Sequence, residues 1–144
     1  MFLPGWQQIS DLHTDLEKSH NVDARTWQLH ALHSLVPMEK QHLVFCRPRG
    51  DQRKIVLSTN IAETSITIDD IVYVIDCGLV KETGYDPITN LASLTPVRVS
   101  KANSLQRKGR AGRCQPGKVY HLFPSHVWEK MADYQDPEMI RTPV

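Results

Sequence analysis

Two continuous apolar runs stand out along the chain. KIVLST (residues 54–59) and IVYVID (residues 71–76) are rich in β-branched side chains and do not alternate with polar ones. Such runs suit strands buried on both faces, as in a parallel sheet covered by helices. Between them NIAETSITIDD (residues 60–70) reads as a short polar crossing. Trp6, Ile9, Leu12 or His13, and Leu16 recur at helical spacing, which predicts a helix over residues 7–18. Ahead of it, Phe2-Leu3 reads as the end of a strand whose beginning is cut off, and Pro4-Gly5 as a turn. Residues 20–26 are polar and loop-like, and residues 27–32 alternate before a turn at Ser34-Leu35-Val36-Pro37. Proline suits the first position of a helix, so residues 38–45 are expected to be helical.

The second half is weaker in pattern. Residues 80–85 and 91–97 are strand-like and flank the turn-forming Asp86-Pro87-Ile88-Thr89-Asn90, which predicts a β-hairpin. Residues 118–123 predict a strand and residues 125–131 a short helix, followed by a tail broken by Pro137 and Pro143. Strands alternating with helices argue for an α/β layered domain.

The chemistry concentrates in QRKGRAGR (residues 106–113). Ser100 is a credible helix cap before it, and Pro116-Gly117 the expected stop. At 100° per residue, Gln106, Arg110 and Arg113 share one stripe of that helix. Ala102, Leu105, Gly109 and Gly112 share another. A helical glycine costs about 1 kcal/mol relative to alanine, so this small stripe is expected to pack on a sheet. The first stripe then presents two guanidinium groups and an amide. Arginine suits a two-point grip on phosphate oxygens and stays charged at any working pH.

Composition narrows the partners. The 144 residues amount to one domain, and the net charge of +1 gives no global polycation. Positive charge is local: Arg98, Lys101, Arg107, Lys108, Arg110 and Arg113 crowd one segment. No apolar run approaches the roughly 18 residues that span a bilayer, and the first residues lack the pattern of a signal peptide. Cys46, Cys77 and Cys114 are widely spaced and odd in number, as expected of reduced thiols in an intracellular protein, nuclear or cytoplasmic. The histidines complete no zinc pattern, and no metal site is expected.

In an open α/β sheet, ligands sit beyond the carboxyl ends of the strands. Thr59 and Asn60 end the strongest strand, so a hydroxyl and an amide face that crevice and can bond phosphate or sugar oxygens without reading a base. A plain strand-ending turn explains them equally well. Ser65 and Asp69 follow; a carboxylate there can accept ribose hydroxyls, or cap the next element. The segment from Gly112 to Lys118 imitates a phosphate-binding loop, but Val119 stands where Ser or Thr is required, and the loop would enter a strand rather than a helix. The chain thus offers phosphate-gripping arginines without a nucleotide cradle, as one half of a two-part site would.

FLPGW, LHALHSLVP, VFCRP, STNIAETSITIDD, QRKGRAGR and the late RTP (residues 141–143) together resemble the second RecA-like domain of a DEAH/RHA-type superfamily 2 ATP-dependent RNA helicase, in its RNA helicase A-like branch. The resemblance covers almost the whole chain. It implies a RecA-like, mostly parallel sheet flanked by helices, with an inserted β-hairpin that separates strands. It implies Gln106, Arg110 and Arg113 at the β- and γ-phosphates, the two arginines acting as fingers. Ser65 would sense the γ-phosphate or the attacking water, Asp69 bond the ribose, and Phe45, otherwise an ordinary core aromatic, stack on adenine. Thr59 and Asn60, helped by His33 and Ser34, would hold the backbone of RNA, or of DNA or structured nucleic acid. ATP with Mg2+ would be held mainly by the first RecA-like domain. That domain and the winged-helix domain are expected to be absent from residues 1–144, leaving a fragment that is inactive alone. Two rivals are a non-catalytic RNA-binding module and a chain that completes another protein's ATP site.

Overall fold

The computed structural model describes residues 1–19, 23 and 25–137. The late RTP motif, the end of the tail and part of the polar stretch before residue 27 lie outside the described residues. The central sheet is parallel. Strand β1 (Trp27–Leu32) pairs with β2 (Arg53–Ser58), and β3 (Tyr73–Asp76) pairs with β6 (Lys118–His121). Phe2 closes the gap between the two pairs, bridging Ser58 on one side and Asp76 on the other. Of the pair read as the end of a strand, Phe2 makes isolated bridges at the centre of the sheet, while Leu3 belongs to no strand.

Burial in β2 explains its uninterrupted apolar run. Val56 and Leu57 point to opposite faces, and both are buried. On one face Leu57, Leu3 and Ile9 form a core beneath helix α1 (Trp6–Lys18). On the other, Phe2, Leu32, Val44, Val56, Ala62, Ile68 and Val74 form a second core. Helix α2 (Met38–His42), its 3-10 extension Leu43–Phe45, helix α3 (Ile61–Thr64) and helix α4 (Lys101–Lys108) belong to this second layer. Helix–sheet–helix layering follows from β2, which has no polar face to leave in water.

The antiparallel hairpin β4 (Leu79–Asp86) and β5 (Leu91–Arg98) leaves the sheet after β3. Its base packs with helix α5 (Ser125–Lys130) through Val80, Val97, Val99, Phe123, Val127, Trp128 and Met131. Gly78 makes the exit possible. Its φ is +74°, and a Cβ there would lie 2.5 Å from the Phe123 ring.

Three expectations need correction. The polar crossing contains α3, a single helical turn. Strand β6 ends at His121, before Leu122 and Phe123. Most consequentially, α4 stops at Lys108, well before Pro116-Gly117. Gly109 caps it through an N–H to Leu105 O contact, and Gly112 adopts φ +78°. Gly109 keeps helical geometry (φ −65°), so only Gly112 takes the left-handed turn that glycine fills at least cost. Gln106 stays on the helix, whereas Arg110 and Arg113 lie in the loop beyond it, so the three do not form one helical stripe. The helix is also rotated from the expected orientation. Leu105 is 55% exposed, while Ser104 and Arg107 are fully buried.

Candidate nucleotide and nucleic-acid site

Arg107 is the largest fully buried side chain among the described residues. Its Nη1 donates to Asp76 Oδ1 at 2.8 Å, its Nε to Glu63 Oε2 at 3.1 Å, and its Nη2 to Leu79 O at 3.1 Å. The guanidinium lies 4.9 Å from the centre of the Phe2 ring. The carboxylates are themselves satisfied. Asn103 Nδ2 donates to Glu63 Oε1 at 2.6 Å, and Ser104 Oγ to Asp76 Oδ2 at 2.7 Å. Burial pushes the Asp76 carboxyl up, but Arg107, Ser104 and the Gly78 N–H outweigh it and hold it below its ordinary value. A buried charge is tolerable only with partners of this kind. The cluster ties together α3, the end of β3, the start of β4 and α4. Ser100, the expected cap of α4, accepts the Asn103 N–H as predicted.

Around this cluster the expected site residues sort onto two edges of the sheet. At the carboxyl edge, the Thr59 N–H donates to Leu32 O at 3.4 Å. This sets Thr59 and Asn60 beside His33 and Ser34, which follow β1. Thr59 is buried and Asn60 exposed. Gln41 Nε2 donates to the carbonyls of His33 and Val36, at 2.9 and 2.8 Å, and fixes the loop between them. Burial, then the Lys81 charge, lower the His33 pKa, so the ring favours its neutral form. Sequence reasoning missed two residues here. Trp6 faces the His33 ring at 5.6 Å, and Lys81 reaches Gly5, where a Cβ would sit 2.8 Å from its Nζ. The side-chain-free position in FLPG is the signal that could have pointed to such an approach.

The arginine loop lies at the opposite, amino edge. The Gly112 N–H reaches Ile71 O at 3.4 Å and the Lys118 N–H reaches Val72 O at 2.9 Å, ahead of β3. Arg113 is exposed. Arg110 Nε is buried and bonds to nothing among the described residues. Asp69 also belongs to this edge and not, as expected, to the carboxyl edge. Its neighbour Asp70 pairs with Lys54 at the start of β2, at 2.8 Å. The chain has to travel the length of the sheet to begin the parallel strand β3, and this carries Asp69 away from Asn60. Ser65, exposed at the end of α3, lies on the path between the edges. Phe45 is 47% exposed and so is a surface aromatic rather than core. Lys54 Nζ binds the carbonyl of Val44 beside it at 2.7 Å. Among the described residues, no group of His, Cys, Asp or Glu is placed to hold a metal ion, and no helix is long and apolar enough to cross a membrane.

A parallel sheet between helices, with a hairpin leaving after β3 and a glycine-bounded arginine loop ahead of it, defines the RecA-like fold of helicase C-terminal domains. Residues 1–115 match the helicase conserved C-terminal domain, and the chain belongs to that family. It is 51% identical over 146 residues to the DExH-box ATP-dependent RNA helicase DExH3 of Arabidopsis thaliana, covering all of this chain and 12% of that protein. It is 50% identical over 143 residues to the human ATP-dependent RNA helicase DHX30, covering 99% of the chain and 12% of the relative. With the human ATP-dependent DNA/RNA helicase DHX36 the identity is 51% over 144 residues, covering all of the chain and 14% of the relative. The crystal structure of the DExH-box NTPase HrpB from E. coli superposes with a TM-score of 0.88 at 37% identity, over 98% of this chain and 17% of that one. The chain thus spans about one eighth of the length of the curated relatives it matches.

Proposed function

We propose that this chain is the second RecA-like domain of an ATP-dependent RNA helicase, acting with a first RecA-like domain elsewhere in the same protein. The amino edge completes an ATP site between the two domains, and the carboxyl edge holds the nucleic-acid backbone. The sorting of the two residue sets onto two edges of one sheet, with Arg107 fastened between them, carries this reading.

The residues present fit a nucleoside triphosphate. Arg110 has a buried guanidinium nitrogen that bonds to nothing among the described residues, and Arg113 is an exposed cation behind a glycine turn. The chain has no phosphate loop of its own, so the cradle and the Mg2+ ligands come from the other domain. ATP bound there supplies a phosphoryl group whose transfer to water spreads negative charge over its oxygens. Arg110 and Arg113 offset that charge, and Gln106 adds an amide donor one turn earlier. Ser65 faces the γ-phosphate or the water, Asp69 accepts from the ribose, and Phe45 stacks on the adenine. At the other edge Thr59 and Asn60, with His33 and Ser34, contact phosphate and sugar. Such groups do not read bases, so RNA and DNA strands are both accommodated. A change in the angle between the two domains then moves one edge relative to the other and advances the strand.

The test is a division of labour in the full-length protein. Arg113→Ala is expected to abolish ATP turnover while RNA affinity persists, and Thr59→Ala to weaken RNA binding while basal turnover persists. Parallel loss of both activities in each variant would refute the two-edge assignment.

A further inference from the structure

Lys54 has no place in the function outlined above, yet it is one of the most constrained charges in the molecule. Its side chain is 4% exposed. Its ammonium has three N–H groups to place, and they meet Val44 O at 2.7 Å, Asp70 Oδ1 at 2.9 Å and Asp70 Oδ2 at 2.8 Å. Each partner adjoins, in sequence, an exposed residue assigned to the nucleoside. Val44 is fully buried and precedes Phe45, which ends the 3-10 turn and is 47% exposed. Asp70 follows Asp69, which is exposed, while Ile68 on the other side is 7% exposed and locked in the core.

We propose that Lys54 is a positioning residue for the nucleoside half of the nucleotide site. One ammonium at the start of β2 holds the Val44 carbonyl, just before Phe45, and the Asp70 carboxylate, just after Asp69, to a common point, so that the aromatic ring and the ribose-binding carboxylate keep a fixed separation. Without it the two segments keep their shared apolar packing, in which Val44 and Ile68 belong to one core, but lose the polar link that fixes them to one point. Phe45 and Asp69 would then have to be ordered by the ligand itself, and that ordering weakens binding. The phosphate end is held by a different loop, beyond α4, that Lys54 does not touch. The inference rests on the proposed roles of Phe45 and Asp69.

The experiment compares ATP with inorganic triphosphate, which has the phosphates but no nucleoside, in the full-length protein. In Lys54→Met the KM for ATP is expected to rise on the order of tenfold, the scale of a lost charge-assisted contact. The kcat and the inhibition constant for inorganic triphosphate stay as they were. Lys54→Arg, which keeps the charge and can still reach both segments, recovers most of the affinity. Asp70→Asn breaks the same link from the more exposed side and gives the same pattern if Lys54→Met does not fold. Equal weakening toward ATP and inorganic triphosphate, or a fall in kcat at constant KM, would show a merely structural lysine and overturn the proposal. Phe45→Ala and Asp69→Ala separate the two levels. If neither raises the KM for ATP, the nucleoside assignment itself fails. If both do and Lys54→Met does not, the assignment stands and the positioning role falls.

Discussion

Arg107 and Asp76 meet at 2.8 Å, and neither side chain is exposed to solvent at all. Glu63 joins them with a side chain 3% exposed. Removing one member of such a set strands the others as unpaired buried charges, which typically costs about 3–5 kcal/mol. Arg107→Met is therefore expected to lower the stability of the chain by an amount of that order in urea unfolding. Glu63→Gln, which keeps an acceptor for Arg107, is expected to cost less. A loss below about 1 kcal/mol for Arg107→Met, the scale of an exposed pair, would mean that solvent reaches the cluster.

The arginines of the loop answer to a different measurement. Arg110→Ala or Arg113→Ala in the full-length protein is expected to lower kcat for ATP by on the order of 10³-fold, as for arginines that stabilise a transferred phosphoryl group. The chain alone is expected to show no RNA-stimulated ATP turnover. Turnover by the pure chain that disappears in Arg113→Ala would contradict a shared site; turnover that survives the substitution would indicate a contaminating enzyme.

Stability is expected to fall on acidification, in two stages. Burial, then the nearby Lys54 charge, lower the His30 pKa against the opposing pull of Asp70. The folded state thus favours neutral His30. Its contribution is complete above the unfolded value of about 6.5 and is lost as pH falls through the lower folded value. Asp76 acts at the acid end. Its contribution is complete above about 3.9 and is lost as pH falls through its depressed folded value. Urea midpoints at pH 7.5 and 5.5 should therefore decline toward acid, and His30→Gln should reduce that first step without removing it, since His33 and the buried N-terminal amine, lowered to about 6, act in the same direction. A midpoint that rises between these two values would contradict the assignment.

Gly78 gives a geometric test. Alanine there meets both a left-handed backbone and the Phe123 ring. The combined strain and overpacking are expected to cost roughly 2–4 kcal/mol. Gly84 is the control, since the nearest atom to its added Cβ is Ser93 Oγ at 3.4 Å. Gly84→Ala should shift thermal unfolding little, and comparable losses in both variants would remove the special role of Gly78.

Local pattern was a good guide where local physics decides the outcome. Uninterrupted β-branched runs gave β2 and β3, the turn residues around Pro87 gave the hairpin, and Ser100 capped α4. Phe2 was legible as strand because nothing else explains an apolar pair before Pro4-Gly5. Arg107 was not legible. In a basic run it resembles its exposed neighbours, and the carboxylates that make its burial tolerable are 31 and 44 positions away. The glycines of QRKGRAGR misled for a related reason. Such spacings fit a helix face as well as a loop, and the left-handed Gly112, its N–H on Ile71 O, shows the loop. Asp69 was not legible at the amino edge, because the strand end at Thr59 does not reveal that the chain returns along the sheet before β3 begins.

Asp76 also accepts the Gly78 N–H at 2.9 Å, at the point where the hairpin departs. The same carboxylate anchors Arg107, three residues before Arg110. The protruding ribbon and the arginine loop consequently share one footing, and a ribbon that swings must either carry that footing with it or break from it.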